Sequence, residues 1–249
     1  MNEKGWVIFE EMIDLELIEK MRVDIVLAYK RCRNIQMLNG IPDNNAHTVH
    51  HLIGEEPSFF NYLEETPIHE YVARYFEGEF ILNSFGGAIN TTDSSNYAHQ
   101  IHRDVRTYSN QPLIMLNTLV MLDDFTAENG ATWMLSGSHK YEEKPSQKYF
   151  YEHAKQAIGK AGSILVFNSN VWHAGGKNTS DQVRRSITPM YSKPYIKQQF
   201  DYPRIVGYEN QSKLSDSMQQ ILGYNSRTPA TLNEWYQPPE KRMYKRGQG

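Results

Sequence analysis

Apolar residues recur at helical spacing near the start of the chain. A short apolar run, Trp6–Phe9, predicts a strand, and the polar Asp14 that follows suits the cap of a helix. The apolar positions of that helix are three and four residues apart and comprise Leu17, Ile18, Met21, Ile25, Ala28 and Tyr29. Pro67 suits the first turn of a second helix, which Gly78 would end. The pattern therefore predicts helices over about residues 12–77.

After Gly78 the period of the apolar positions falls to two, which is typical of strands. The β-rich runs are Glu79–Leu82, Gly87–Thr91, Leu113–Leu122, Thr132–Leu135, Ser163–Phe167 and Val183–Tyr191. Helices followed by many short strands favour a mainly β barrel or sandwich, with its core over about residues 79–195 and flanking α-helices. A C-terminal helix and tail would occupy about residues 196–249. Because no Pro/Gly/Ser linker interrupts the chain, we expect residues 1–249 to form a single domain.

Charge and composition narrow the range of partners. A formal net charge of −3 gives no basic surface for nucleic acid or for an anionic membrane. The single cysteine, Cys32, excludes an internal disulfide and fits a reducing compartment. No apolar run resembles a signal peptide or approaches the length of a membrane span. We therefore expect a cytoplasmic protein with neither a nucleic acid nor a membrane as its partner, while the composition leaves its oligomeric state open.

A candidate metal site comes from three residues. His102 and Asp104 are two positions apart, so in an extended strand their side chains share one face. A histidine and an aspartate at this spacing arise often by chance in a chain with nine histidines. His173, far downstream, could complete a set of two imidazoles and one carboxylate. Such a set leaves one side of the metal open, as in non-haem Fe(II) oxygenases.

A candidate anion site follows His173 along the chain. Arg184 and Ser186 are again two positions apart, in a β-branched run that suits a strand. A guanidinium binds a planar carboxylate through two parallel hydrogen bonds, which lysine cannot do. A dicarboxylate that chelates iron at one end and contacts Arg184 at the other would use every residue of both sites.

The chain resembles the phytanoyl-CoA dioxygenase-like family of Fe(II)/2-oxoglutarate oxygenases. The resemblance runs from about Gly5 to Tyr224. The motifs that carry it are His102–Asp104, Leu122–Trp133 with Ser136–Lys140, and Trp172–Asn178 followed by Arg184. It implies a double-stranded β-helix, which is a jelly-roll or cupin-like barrel with the metal at its mouth.

The resemblance also implies roles for single residues. His102, Asp104 and His173 match the iron ligands, and Arg184 matches the arginine that binds the distal carboxylate of 2-oxoglutarate. Asn90 and, more weakly, Asn117 match positions that hydrogen-bond this cosubstrate in some relatives. Fe(II), 2-oxoglutarate and O2 are thus the expected cofactor and cosubstrates. The expected reaction is hydroxylation of an unactivated C–H bond with release of succinate and CO2.

Two positions depart from the family pattern, and one position of the pattern that some relatives have lost is kept. The chain departs from the family pattern at Leu119, where many members have Trp, and at Ser136, where Pro is common. These departures bear on the packing of the cosubstrate and on the turn before His139. Retention of Asp104, where halogenating relatives have a small residue, favours hydroxylation.

Other candidates concern the substrate. Arg106 would share the face of His102 and Asp104, where it could hold an anionic substrate group or pair with a structural carboxylate. Tyr97 and Trp133 could line the pocket, or could simply fill the core. The histidines at positions 47, 50 and 51 are interpreted as surface or substrate-side residues rather than a second metal site.

Two other functional classes stay open. A cupin-type metalloenzyme that does not use 2-oxoglutarate would need similar ligands but has no use for Arg184. A catalytically inactive barrel acting as a binding module would be expected to have lost a ligand. The residues do not choose among substrates such as fatty acyl thioesters, free amino acids, osmolytes and natural-product scaffolds.

Overall fold

The computed structural model describes residues 1–41, 47–92, 97–105 and 107–248. The strands are β1 (Trp6–Phe9), β2 (Thr48–Val49), β3 (Ile81–Asn90), β4 (Met115–Met121), β5 (Trp133–Met134), β6 (Lys155–Gln156), β7 (Ile164–Asn168), β8 (His173–Ala174) and β9 (Arg184–Ser192). The helices are α1 (Leu15–Leu38), α2 (Pro57–Glu65), α3 (Ile68–Phe76), α4 (Gln147–His153), α5 (Tyr202–Val206), α6 (Asp216–Leu222) and α7 (Leu232–Trp235). None of these helices has the length and apolar character needed to cross a membrane.

The strands form two antiparallel sheets. A six-stranded sheet has the order β1-β7-β4-β9-β3-β2, and a three-stranded sheet has the order β6-β5-β8. This arrangement confirms the mainly β jelly-roll fold with flanking helices. The strands described here do not close into a barrel, because those of the small sheet are only two residues long and bond only to one another and to His102. The two sheets instead enclose the interior from opposite sides, as in a double-sheet jelly roll.

The predicted N-terminal helix is confirmed, and it covers the outer face of the large sheet. Asp14 caps α1 by accepting a hydrogen bond from the backbone N–H of Glu16 at 2.7 Å. The periodic apolar positions Ile18, Met21 and Ile25 are fully buried. Amphipathic spacing thus directs one face of α1 into the main apolar core.

Strands β4 and β9 separate this core from the interior between the sheets. On β4, Leu116 and Val120 pack in the helix-side core, whereas Leu119 and Met121 belong to a second cluster between the sheets. On β9, the helix-side residues include Ile187 and Tyr191, while Arg184, Ser186, Thr188 and Met190 line an internal cavity. The period of two therefore decides which side chains can take part in chemistry.

Strand β3 is one long strand where the sequence pattern predicts two short runs. Gly86 and Gly87 lie in its centre, and their presence weakens the strand signal. A Cβ on Gly87 would come within 3.0 Å of Ile25 Cδ1 and of the carbonyl oxygen of Ser186. Glycine is therefore needed where α1 crosses the sheet closely.

Helix α2 was not predicted, although Pro57 stands in its first turn as a helix-start signal. Phe59, Tyr62 and Leu63 of this helix are nevertheless fully buried. It packs beside α1 and extends the helical layer over the large sheet.

Asp123 fixes the start of β9 against the helical layer. Its Oδ2 accepts hydrogen bonds from the backbone N–H of Arg185 at 2.7 Å and from Nε of Arg185 at 2.9 Å. Its Oδ1 lies 3.1 Å from Nε of Arg22 on α1. One carboxylate thus sets the position of the residue next to Arg184.

We expect Asp123→Ala to lower the free energy of unfolding by about 2–4 kcal/mol, because it removes the carboxylate that binds the backbone and side chain of Arg185 and one of the partners of Arg22. Urea titration measures this change. The control is Glu16→Ala, which removes an exposed pair with Lys20 and should cost about 0–1 kcal/mol. Equal small losses in both variants would contradict the role given to Asp123.

Candidate metal centre

Three side chains that could ligate a metal meet in the cavity between the sheets. Ligand atoms of His102, Asp104 and His173 all lie within 4.8 Å of one another. Nε2 of His102 is 3.5 Å from Oδ1 of Asp104, and Nε2 of His173 is 3.6 Å from Oδ2. Such separations suit three ligands around one ion at bond lengths of about 2.0–2.2 Å. The fold thus brings together the three residues that the sequence nominates as metal ligands.

Backbone hydrogen bonds align this trio. The backbone N–H of each histidine donates to the carbonyl oxygen of the other, at 2.9 Å in both directions. The backbone N–H of Asp104 donates to the carbonyl oxygen of Ser169 at 3.2 Å. Segments distant in sequence are therefore held in one register by the main chain, independently of any metal.

The histidine rings are oriented by their second nitrogens. Nδ1 of His102 lies 2.7 Å from the carbonyl oxygen of Gln100, and Nδ1 of His173 lies 2.9 Å from that of Val171. A carbonyl only accepts, so each Nδ1 carries the proton and Nε2 is the nitrogen with a lone pair for a metal. Burial lowers the pKa of His173, against the opposing effect of Asp104, and so favours the neutral form that binds metals.

Ser169 and Asn117 form a chain of hydrogen bonds that ends at the carboxylate of Asp104. The amide nitrogen of Asn117 donates to Oδ2 of Asp104, and its amide oxygen accepts from the hydroxyl of Ser169. Asn117 is 8% exposed and Ser169 is fully buried. Asn117, which the resemblance suggests as a cosubstrate contact, thus has its amide group engaged in orienting Asp104. Ser169 was missed because a lone serine in a loop carries no sequence signal.

Arg184 is a buried cation in the same cavity. Its side chain is 5% exposed, and its Nε and Nη1 atoms have no hydrogen-bond partner in the described part of the chain. The guanidinium lies over the ring of Phe125, 4.3 Å from the centroid. Burial lowers the pKa of Arg184 to about 10, despite the opposing field of Asp123, so the group stays charged at neutral pH. A charge in this position calls for an anionic ligand.

The cavity joins the two candidate sites. It has a volume of about 310 Å³, and its lining includes His102, Asp104, His173, Arg184 and Ser186. Leu119, where the family often has Trp, also lines it. A metal and an elongated anion could therefore share one enclosed space.

Asn90, the other predicted cosubstrate contact, lies opposite Arg184 in the register of β3 and β9. Its amide nitrogen is directed to the carbonyl oxygens of Gly176, at 3.1 Å, and of Asn129, at 3.5 Å. Its Oδ1 atom is buried and has no hydrogen-bond partner among the described residues. The amide hydrogens of Asn90 are thus used to fix the loop after His173.

The three predicted substrate residues have different outcomes. Arg106 lies outside the described residues, and so does the side chain of Tyr97. Trp133 packs edge-on to Tyr151, at 5.8 Å between ring centroids, and against an apolar cluster that includes Phe150. That packing corresponds to the alternative of core filling and gives no support to a substrate contact.

The cavity lining also includes two of the histidines interpreted as surface or substrate-side residues, and one glutamine that the sequence does not single out. His50 and His51 follow β2, and Gln199 follows β9. The sequence indicates substrate-side histidines only as one of two interpretations. Gln199 carries no signal, because its approach to the cavity depends on the path of the chain after β9.

Comparison with known proteins agrees with this geometry. The family model described as phytanoyl-CoA dioxygenase (PhyH) matches residues 45–186, which is more than half of the chain. An uncharacterized protein of Mycobacterium tuberculosis is 35% identical over 202 residues, covering 78% of this chain and 73% of the relative. Dioxygenase olcK of Penicillium canescens is 27% identical over 241 residues, covering 88% of this chain and 77% of the relative.

A solved structure shares the fold. The non-heme alpha ketoglutarate dependent epimerase SnoN from nogalamycin biosynthesis superposes with a TM-score of 0.60 at 13% identity, covering 77% of each chain. At that identity the likeness concerns the fold alone. The family model and the 35% identical relative decide the assignment: the chain belongs to the phytanoyl-CoA dioxygenase (PhyH) family.

Proposed function

We propose that the protein is an Fe(II)- and 2-oxoglutarate-dependent dioxygenase that hydroxylates an unactivated C–H bond of a small-molecule substrate. The observation that carries the proposal is the buried Arg184, whose Nε and Nη1 atoms lack partners among the described residues of a cavity that also holds His102, Asp104 and His173. A buried cation is costly unless an anion compensates it. The family, with relatives named dioxygenases, supports the oxygenase class.

The trio suits Fe(II) by the chemistry of its donors. Two neutral imidazole nitrogens and one carboxylate oxygen on one face would hold Fe(II) and leave positions for 2-oxoglutarate and O2. Bound there, Fe(II) and 2-oxoglutarate supply the oxidation, in which one atom of O2 enters succinate, CO2 is released and the other atom enters the product. The protein's own contribution is binding, orientation and exclusion of water.

Arg184 and Ser186 would bind the distal carboxylate. They occupy alternate positions on the cavity side of β9, so guanidinium and hydroxyl reach the same space. Phe125 lies beneath the guanidinium and shields that face from water. Because a carboxylate only accepts hydrogen bonds, Asn90 could contact it only through amide hydrogens already directed to Gly176 and Asn129. We therefore propose that Asn90 positions the loop.

The remaining lining would orient the substrate carbon. The cavity also has apolar lining residues, namely Leu119, Phe167 and Met190. Such an apolar lining excludes water from the oxidation and places a C–H bond without activating it. Since a protein of this fold is named an epimerase, product analysis has to separate hydroxylation from other oxidations.

Different observations count against the two alternative classes. A cupin-type metalloenzyme without 2-oxoglutarate would leave the buried Arg184 with no ligand. An inactive binding module would be expected to have lost a metal ligand, whereas His102, Asp104 and His173 are all present. The tests below separate all three, because they follow iron and 2-oxoglutarate binding directly.

Joint binding of Fe(II) and 2-oxoglutarate is the first expected outcome. Under argon, a visible charge-transfer band should appear only when both are present. His173→Ala removes an imidazole ligand and should abolish the band, whereas Asp181→Ala on an exposed residue should keep it. A folded, iron-loaded wild-type protein without the band would exclude the proposed function.

Arg184→Lys should raise the concentration of 2-oxoglutarate needed for half-maximal band intensity by about 30-fold or more. Loss of a charge-assisted bidentate pair costs about 2–5 kcal/mol, and each 1.4 kcal/mol is tenfold. The apparent affinity for iron should change little. Arg185→Lys is the matched control, since Arg185 points to Asp123 on the other face. Greater sensitivity at position 185 would contradict the proposed role.

Asn117→Ala should weaken Fe(II) binding by about 10–100-fold, as expected for a residue that orients a metal-binding carboxylate. Its effect on 2-oxoglutarate binding at saturating iron should be small. Titrating the same variant with Fe(II) and with 2-oxoglutarate measures the two affinities separately. Weaker binding of 2-oxoglutarate with unchanged binding of Fe(II) would identify Asn117 as the cosubstrate contact suggested by the family resemblance.

A further inference from the structure

The part of the cavity away from Arg184 is bounded by neutral hydrogen-bonding side chains. Strand β9 contributes Arg184 at one end and Met190 at the other, and Met190 is paired with Asn117 beside Asp104. Past Met190 the lining continues with His50, His51 and Gln199. The cosubstrate would use the Arg184 end, so the end with His50 and His51 is left for the substrate.

His51 is held in a strained and fixed position at this end. Its φ of +58° lies in the left-handed region, which costs a residue other than glycine about 1–3 kcal/mol. The ring stacks on Phe200 with 4.3 Å between centroids and 15° between planes. Nδ1 lies 3.2 Å from the hydroxyl of Tyr202. The stack on Phe200 and the hydrogen bond to Tyr202 together fix the orientation of the His51 ring.

The partner of Nδ1 determines what His51 presents to the cavity. The hydroxyl of Tyr202 is buried, accepts a hydrogen bond from the backbone of Phe85, and has Nδ1 of His51 as its side-chain partner. With the phenol as donor, Nδ1 accepts and the imidazole proton sits on Nε2. Burial, with a smaller effect of His50, lowers the pKa of His51 to about 4, so the ring is neutral. Nε2–H is thus a fixed, uncharged donor.

Charge distribution restricts what can bind beside it. Among the described lining residues, the charged side chains are Arg184, which the cosubstrate would neutralise, and Asp104, which the metal would. The pKa of His50 is also lowered by burial. As whole residues, His50 and Gln199 are exposed and His51 is half-buried, so a charged substrate group here would lose part of its hydration without meeting a counterion among the described lining residues.

We propose that His51 selects an uncharged substrate by donating a hydrogen bond from Nε2 to a carbonyl or ether oxygen of that substrate. The inference rests on the proposed function, because the location of the cosubstrate decides which end of the cavity is left for the substrate. It makes His51 a specificity-determining residue rather than a catalytic one.

The test uses three probes of the same size: cyclohexanecarboxamide, cyclohexanecarboxylate and cyclohexylmethylammonium. Each is titrated into protein loaded with Zn(II) and 2-oxoglutarate, where Zn(II) takes the place of iron without redox chemistry. Ligand-observed NMR measures the affinities. We expect the carboxamide to bind at least about tenfold more tightly than either charged probe.

Two variants separate the hydrogen bond from packing. His51→Asn tolerates the left-handed backbone but cannot reach the same point, and His51→Phe keeps the stack on Phe200 but has no donor. Both should lower carboxamide affinity about threefold to tenfold, the worth of one neutral hydrogen bond. His153→Asn, at the exposed end of α4 and outside the cavity, is the control and should change it less than about twofold.

Three results would overturn the proposal: no binding of the carboxamide at millimolar concentration, equal binding by the wild type and both His51 variants, or a preference for the carboxylate. The last would instead favour an anionic substrate held by a cation such as Arg106. A parallel titration of carboxamide into metal-free protein keeps the two proposals apart. His51 dependence there, without a charge-transfer band in the iron-loaded protein, would retain His51 as a ligand contact and reject the iron and 2-oxoglutarate chemistry.

Discussion

Strand β9 is hydrogen-bonded on both edges, to β3 and to β4, and the cavity depends on this pairing. A slip of one residue would exchange the two faces of the strand, placing Arg185 inside and Arg184 against the helical layer. Asp123 opposes such a slip by binding both the backbone and the side chain of Arg185. The buried charge of Arg184 is therefore held by the sheet as a whole.

The metal trio is built differently, from short segments at the small sheet. His102 and His173 share two backbone hydrogen bonds, and Asp104 is tied to Ser169 and Asn117. Each imidazole is oriented by a carbonyl oxygen. Arg184 is thus held by a strand paired on both edges, and the trio is held by main-chain hydrogen bonds. Little of either site would need to become ordered when an anion or a metal binds, which favours preorganised chemistry.

The sequence was informative where one periodicity or one motif dominates. The helix from Asp14, the cavity-side alternation of β9 and the grouping of His102, Asp104 and His173 all follow from spacing. It failed where tertiary contacts decide. Trp133 packs in the apolar cluster that includes Phe150. Gly87 is part of β3 through its pairing with β9, and a glycine suits this position because α1 passes close to it. The engagement of Asn117 with Asp104 depends on pairing between distant segments, which no local pattern reports.

The central claim is that one cavity binds an anion between Arg184 and the metal trio, and a change in the ligand tests it most directly. Iron-loaded wild-type protein is titrated under argon with 2-oxoglutarate and with 2-oxopentanoate, which has the same chain length but a methyl group in place of the distal carboxylate. The account predicts at least about 30-fold weaker binding of 2-oxopentanoate, the loss of one charge-assisted pair. Equal affinities for the two acids would show that Arg184 does not bind the cosubstrate and would contradict the account.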